Sequence, residues 1–234
     1  MSSTEEQHVY PEGYTNLHFK RQQIEAVARN AQALNRHFNE RRSVRHFSST
    51  PIPSSIIEDI IMSASSAPSG AHHQPWTFVA VSDPVVKSKI RVAAEEEERL
   101  SYEQRMPKEW REALEPLGTD AHKPFLEQAP WLVIIFAQNY AILPDGTHRK
   151  NYYVSESVGI AAGHFIAAVH QAGLACLTHT PSPMKFLSEI LARPVNEKPY
   201  LLLPVGYPAD DCQVPAIVRK GPDEVVVFMT GEPG

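Results

Sequence analysis

The sequence predicts an α+β protein in which a layer of strands lies between helices. Short apolar or β-branched runs at residues 76–81, 132–136, 174–178, 200–206 and 225–229 alternate with segments of helical period. Prolines and glycines separate the two kinds of segment, and no internal repeat suggests a solenoid. The 234 residues, 42% hydrophobic, suffice for one sizeable core. The expectation is therefore a single domain over residues 16–234 behind a flexible tail over residues 1–15.

Taken in order, residues 16–41 are polar with Ile24, Val27, Ala28, Ala31 and Leu34 spaced as on an amphipathic helix. A turn over residues 48–53 leads to a second helix at residues 54–65, where Ile56, Ile57, Ile60 and Ile61 share a face and Ser54 or Ser55 offers a cap. Pro68, Gly70 and Pro75 make residues 67–75 irregular, and residues 76–81 then read as a strand. Residues 84–105 are helical in composition, with glutamates at 95, 96, 97 and 98. The continuous apolar run at residues 132–136 suits a central strand. A buried helix follows at residues 155–171, then a strand at 174–178, a short helix at 184–191, a strand at 200–206 and a last strand at 225–229.

Lys and Arg total 22 against 27 Asp and Glu, and the net charge of −5 offers nothing to a nucleic acid. The two cysteines, Cys176 and Cys212, are far apart and form no CxxC, so a reducing cytoplasm is the expected setting. Residues 1–12 are acidic and polar, which predicts no secretory signal. Residues 158–169 are too few to cross a bilayer and include His164, so no membrane association is expected. His72 and His73 are adjacent, and His164 and His170 are six apart. Neither pair makes a HExxH-type ligand set, and no metal is predicted.

Two clusters carry chemistry. Arg41, Arg42, Ser43 and Arg45 place three guanidiniums and a hydroxyl within five residues, a group suited to a phosphate because guanidinium donates forked, charge-assisted hydrogen bonds. On its own the cluster reads more readily as a solvated basic turn, since short basic clusters are common on surfaces. The second is the loop at residues 67–76, where Pro and Gly expose backbone donors beside Ser69. It serves equally as a turn leading into a strand, and Ser69 lacks the GxSxG setting of a hydrolase nucleophile.

With RRSVR at 41–45, APSGAHHQPWTFV at 67–79, EEEERLSYEQRM at 95–106, LLLPVGYP at 201–208 and VRK at 218–220, the chain resembles the nitroreductase family, and within it the iodotyrosine deiodinases. The resemblance implies a nitroreductase-like α+β fold, with a central mixed sheet flanked by helices, in a domain-swapped homodimer that binds FMN noncovalently. By residue-for-residue correspondence, Arg41, Arg42, Ser43, Arg45 and Arg219 would hold the FMN phosphate and ribityl chain. Pro68, Ser69, Gly70 and Thr178 would lie against the flavin, with Thr180 beside N5, where it would set one-electron against two-electron behaviour. The Ala71 N–H would bind a substrate phenolate. Glu98, Tyr102 and Lys123, in a lid over residues 95–123, would bind the ammonium and carboxylate of a halotyrosine. Glu98 and Tyr102 are four apart and share a helical face, although glutamates 95–98 alone read as a solvated acidic face.

The implied activity is reductive dehalogenation of halogenated tyrosines, with NAD(P)H or a separate reductase as electron source. No GxGxxG marks a Rossmann site for the nicotinamide. The rivals are a general nitro- or quinone-reductase and a flavin-binding protein without turnover. Two segments depart from the family pattern: His72, His73 and Gln74, and His179 between Thr178 and Thr180, where threonine is usual. The membrane anchor of the animal proteins has no counterpart here, which implies a soluble, bacterial-type version.

Overall fold

The computed structural model describes residues 11–231, and the first ten residues of the expected tail lie outside them. The chain divides into a unit ending at Glu40 and another beginning at Arg41. In the first, helix α1 (Ile24–Glu40) starts later than the expected residue 16. Its first turn forms where the Gln23 carbonyl accepts the Ala26 and Val27 N–H groups at 3.0 and 3.1 Å. Leu17 and Phe19, before it, are exposed.

The second unit runs α2 (Ser54–Ser65), β1 (Trp76–Val81), α3 (Pro84–Leu100), α4 (Lys108–Leu114), α5 (Phe125–Gln128), β2 (Trp131–Gln138), β3 (Tyr140–Ile142), β4 (His148–Lys150), α6 (Val154–Gln171), β5 (Ala175–Cys176), α7 (Lys185–Ile190), β6 (Glu197–Gly206) and α8 (Pro222–Val225). Four strands form one sheet in the order β1-β2-β6-β5, and each of these pairs is antiparallel. The sheet is mixed through a parallel bridge from Ser43 to Cys176 at its β5 edge. Strands β3 and β4 make a separate hairpin.

Strand β2 explains the layering. Val133, Ile135 and Ala137 belong to one core with α2 and α6, whereas Leu132, Ile134 and Phe136 belong to another with residues of α3, α5 and α7. A strand that is apolar on both faces needs cover on both. Pro199 sits where the β2–β6 register slips by one residue, a position that tolerates a missing strand N–H.

Several expected boundaries move. Helix α2 is preceded by Pro53, not capped by a serine side chain. The helix expected to reach residue 105 stops at Leu100 and passes into a π turn, Ser101–Arg105, closed by the Met106 N–H to the Ser101 carbonyl at 2.8 Å. The strand expected at 225–229 does not form: Pro222–Val225 is a short helix, and the exposed residues after it pair with no strand among the described residues. No helix of the described residues is long and apolar enough to cross a membrane.

Candidate active site

The β5 edge of the sheet positions the site. Val44 N–H donates to the Cys176 carbonyl at 3.3 Å and Ser48 N–H to the Tyr207 carbonyl at 2.9 Å, so residues 43–48 run along the ends of β5 and β6. Beyond β5 the chain stays extended against β6, with His179 exchanging backbone hydrogen bonds with Leu202 at 2.9 and 3.1 Å. The basic segment and the threonines at 178 and 180 therefore lie along one edge.

Arg41, Arg42, Ser43, Arg45 and Arg219 line a cavity of about 210 Å³. Arg42 donates to the Pro215 carbonyl and Arg219 to the Arg41 carbonyl, which ties the C-terminal segment to the cluster although it is remote in sequence. None of Arg41, Arg42 and Arg45 has a carboxylate partner among the described residues. Burial pulls the Arg45 guanidinium below its usual pKa, against a smaller opposing effect from Tyr102. Such a set fits an anion with several oxygens, such as a phosphate monoester. Cys176 lies beneath it, and burial pushes its thiol up to about 11, so it packs as a thiol and is no nucleophile.

Arg45 also lines a second cavity, of about 170 Å³, together with Glu98, Tyr102, Lys123, Thr178 and Thr180. Lys123 is 3% exposed. Its ammonium donates to Thr119 Oγ1 at 3.1 Å and to the Asp120 carbonyl, and lies 3.7 Å from the Glu98 carboxylate. The Tyr102 hydroxyl donates to the Thr119 carbonyl at 3.0 Å. Burial pushes the Glu98 carboxyl above its usual range despite Lys123, and pulls Lys123 below its own despite Glu98 and Asp120. Desolvation thus outweighs attraction in this pair.

Residues 68–71 line neither cavity. Their loop leans on the start of α6: Gly70 N–H donates to Ser157 Oγ at 3.2 Å, and a Cβ on Gly70 would stand 2.7 Å from the Tyr152 carbonyl oxygen. Ala71, His72 and Gln74 all hold positive φ, at 49°, 55° and 47°. Left-handed backbone costs a non-glycine residue roughly 1–2 kcal/mol, and three such residues within four mark a loop held in one particular shape. Ser69 supports that shape by accepting the Gln74 N–H on its hydroxyl at 2.9 Å.

The structure adds residues that sequence reasoning missed. Glu95 accepts from Arg91 Nε at 2.8 Å and from the Lys123 N–H at 2.7 Å, while Arg91 also holds Glu127 at 2.9 Å. Arg105 reaches from Glu97, at 2.8 Å, to the Ser182 carbonyl, at 3.2 Å, and so joins the π turn to the segment after Thr180. The Arg91–Glu95 spacing of four was a usable helical signal; the other contacts depend on tertiary placement.

The model of the nitroreductase family matches residues 39–207. An iodotyrosine deiodinase of the bacterium Haliscomenobacter hydrossis is 62% identical over 189 residues, covering 81% of this chain and 85% of the relative. One from Hydra vulgaris is 44% identical, covering 81% and 70%. A crystal structure of oxidized iodotyrosine deiodinase bound to FMN and 3-iodo-L-tyrosine superposes with a TM-score of 0.73 at 29% identity, covering 85% of this chain and 99% of that one.

Glu95 generates a prediction about how the cavity floor is held. Burial alone would raise its pKa, but Arg91, the Lys123 amide and His122 together hold it below the usual value. A depressed carboxylate contributes stability above its unfolded pKa of about 4.3 and loses it as pH falls through the folded pKa. Glu95→Gln should therefore cost about 1–2 kcal/mol at neutral pH, speed amide exchange over residues 119–123, and converge with the unmodified protein only once the pH has fallen below the depressed pKa of Glu95. Urea titrations and exchange mass spectrometry check this. Unchanged exchange in that segment at neutral pH would contradict it.

Proposed function

The chain belongs to the nitroreductase family, and from that premise we propose that it is an FMN-dependent oxidoreductase that removes halide from halogenated tyrosines. The observation that carries the reading is the ion pair of buried Lys123 with half-buried Glu98, in a cavity that shares a wall, Arg45, with the arginine-lined cavity. A general nitro- or quinone-reductase has no use for opposite charges desolvated beside its flavin. A small zwitterion does, because its ammonium matches Glu98 and its carboxylate matches Lys123 and Tyr102.

The residues present fit FMN. Arg41, Arg42, Arg45 and Arg219 with Ser43 would hold the phosphate, and Thr178 and Thr180 would meet the ring, the Thr180 hydroxyl at N5. FMN supplies, when bound, the two electrons that with a proton replace a carbon–halogen bond by carbon–hydrogen and release halide, and NAD(P)H or a separate reductase renews them. The protein's own part is to bind and orient. The lid over residues 95–123 excludes water from the pair, and the Ala71 N–H, presented by the strained loop, holds the phenol as phenolate.

We propose further that the site is completed in a homodimer. Residues 68–71 stand apart from both cavities, and Val225, Val227, Phe228 and Met229 form an exposed apolar run with no strand partner among the described residues. A second copy whose loop faces these cavities, and whose sheet receives this run, would account for both.

Three outcomes follow from this reading. The purified protein should bind FMN and discriminate against riboflavin, and Arg42→Ala should weaken FMN by roughly ten- to a hundredfold because it removes a charge-assisted contact and the hold on Pro215; equal affinity for riboflavin and FMN in the unmodified protein would refute the phosphate site. Light scattering should give a dimer with two FMN, and a monomer retaining stoichiometric FMN would sink the shared site. Dithionite-reduced protein should release iodide from iodotyrosine, and iodotyrosine should bind roughly a hundredfold or more tighter than iodophenol. The ammonium needs ionised Glu98, whose pKa is raised, so affinity should fall with decreasing pH already above the ordinary carboxylate range. Glu98→Gln should abolish that acid limb and strongly weaken iodotyrosine binding, yet spare FMN content and nitroaromatic reduction. Equal binding of iodophenol by the unmodified enzyme would return the assignment to a general reductase.

A further inference from the structure

Lys123 is the expected partner of the amino-acid carboxylate, yet its ammonium is already engaged. An ammonium has three N–H donors; here one meets Thr119 Oγ1, another the Asp120 carbonyl, and the ion pair with Glu98 occupies the remaining side. A carboxylate brought into this cavity needs a further donor, and the wall offers one in an unusual form. His179 lines the cavity and is 7% exposed. Its backbone is locked to Leu202, and the alternation of the extended chain leaves Thr178 and Thr180 exposed while His179 is buried. The ring meets Phe125 edge-on at 5.5 Å and 90°. Its Nε2 is buried and has no hydrogen-bond partner among the described residues.

A leucine or phenylalanine would fill this space without burying a polar nitrogen, so packing does not account for the imidazole. Acid–base chemistry does not account for it either. Burial, reinforced by Lys123 and Arg45, lowers its pKa to about 3, and the ring stays neutral through the physiological range.

We propose that His179 is a further specificity-determining residue, a neutral N–H donor built into the wall beside Lys123 for the carboxylate of an α-amino-acid substrate; this rests on the halotyrosine reading above. As the Nε2–H tautomer, its buried nitrogen brought to the cavity surface by a turn of the ring when a ligand arrives, it adds a hydrogen bond beside the ammonium of Lys123, and it does so without adding charge to a wall that already carries Lys123 and Arg45.

The test uses the FMN-loaded enzyme, titrated by flavin fluorescence with 3-iodotyrosine and with 3-iodotyramine, which keeps the ring and ammonium and lacks the carboxylate. His179→Phe preserves the ring and its contact with Phe125 and removes the donor. It should weaken iodotyrosine roughly tenfold or more and leave iodotyramine unchanged, and His179→Gln should restore most of the loss through its amide N–H. In the unmodified enzyme, the ¹⁵N resonance of His179 Nε2 should shift on adding iodotyrosine and not on adding iodotyramine, a readout that holds even if His179→Phe fails to fold. The proposal is overturned if His179→Phe binds iodotyrosine normally, if it weakens both ligands equally, or if the nitrogen does not respond to the carboxylate. An unmodified enzyme that does not prefer iodotyrosine to iodotyramine would defeat the halotyrosine reading along with it, whereas a preference that survives undiminished in His179→Phe defeats this proposal alone.

Discussion

Strand β2 presents apolar residues to both faces of the sheet, with Leu132 through Phe136 fully buried, and helices must cover both. Faces covered in this way admit charge only where it is fully partnered, as for Lys87 on the Glu127 and Ala129 carbonyls and for Glu197 with Arg193. Charge that is free to meet a ligand gathers at the edge, where residues 43–48 and the chain around His179 run beside β5 and β6. The two cavities sit there for that reason. Arg45 lines both.

Holding charge in the second cavity costs stability. Burial moves Glu98 and Lys123 towards their neutral forms, which is the expected direction when lost hydration exceeds the attraction of the pair. The surrounding bonds offset part of that cost. Arg91 and Glu95 clamp the backbone at Lys123, and Tyr102 and Lys123 both bond to Thr119. The polar groups are thus fixed before a ligand arrives, which lowers the ordering entropy that a ligand would otherwise have to overcome.

Much of this was legible in the sequence, for physical reasons that differ by element. The run at 132–136 and the strand at 76–81 were readable because burial on a pleated surface leaves a local signature. The cluster of Arg41, Arg42, Ser43 and Arg45 was visible because it is contiguous, but spacing alone favoured a solvated turn; Arg219 joined it only by resemblance. Lys123 was beyond reach of periodicity, since its burial depends on Glu95 and Glu98 from a helix more than twenty residues earlier. The run at 225–229 pairs with no strand among the described residues, because its β-branched composition specifies an extended chain and says nothing about where a neighbouring strand lies. The β3–β4 hairpin went unread although Pro144, Asp145 and Gly146 are turn formers.

The π turn at Ser101–Arg105 holds one residue more than an α-helical turn requires. A helix advances about 100° per residue, so removing that residue would swing Met106, Trp110 and the Thr119 turn by more than a quarter of a revolution about the axis of α3, while Glu98, before it, stays in place. No graded series of side-chain replacements produces such a rotation. In this chain a single deleted codon within the π turn would therefore reset the lid in one discrete step.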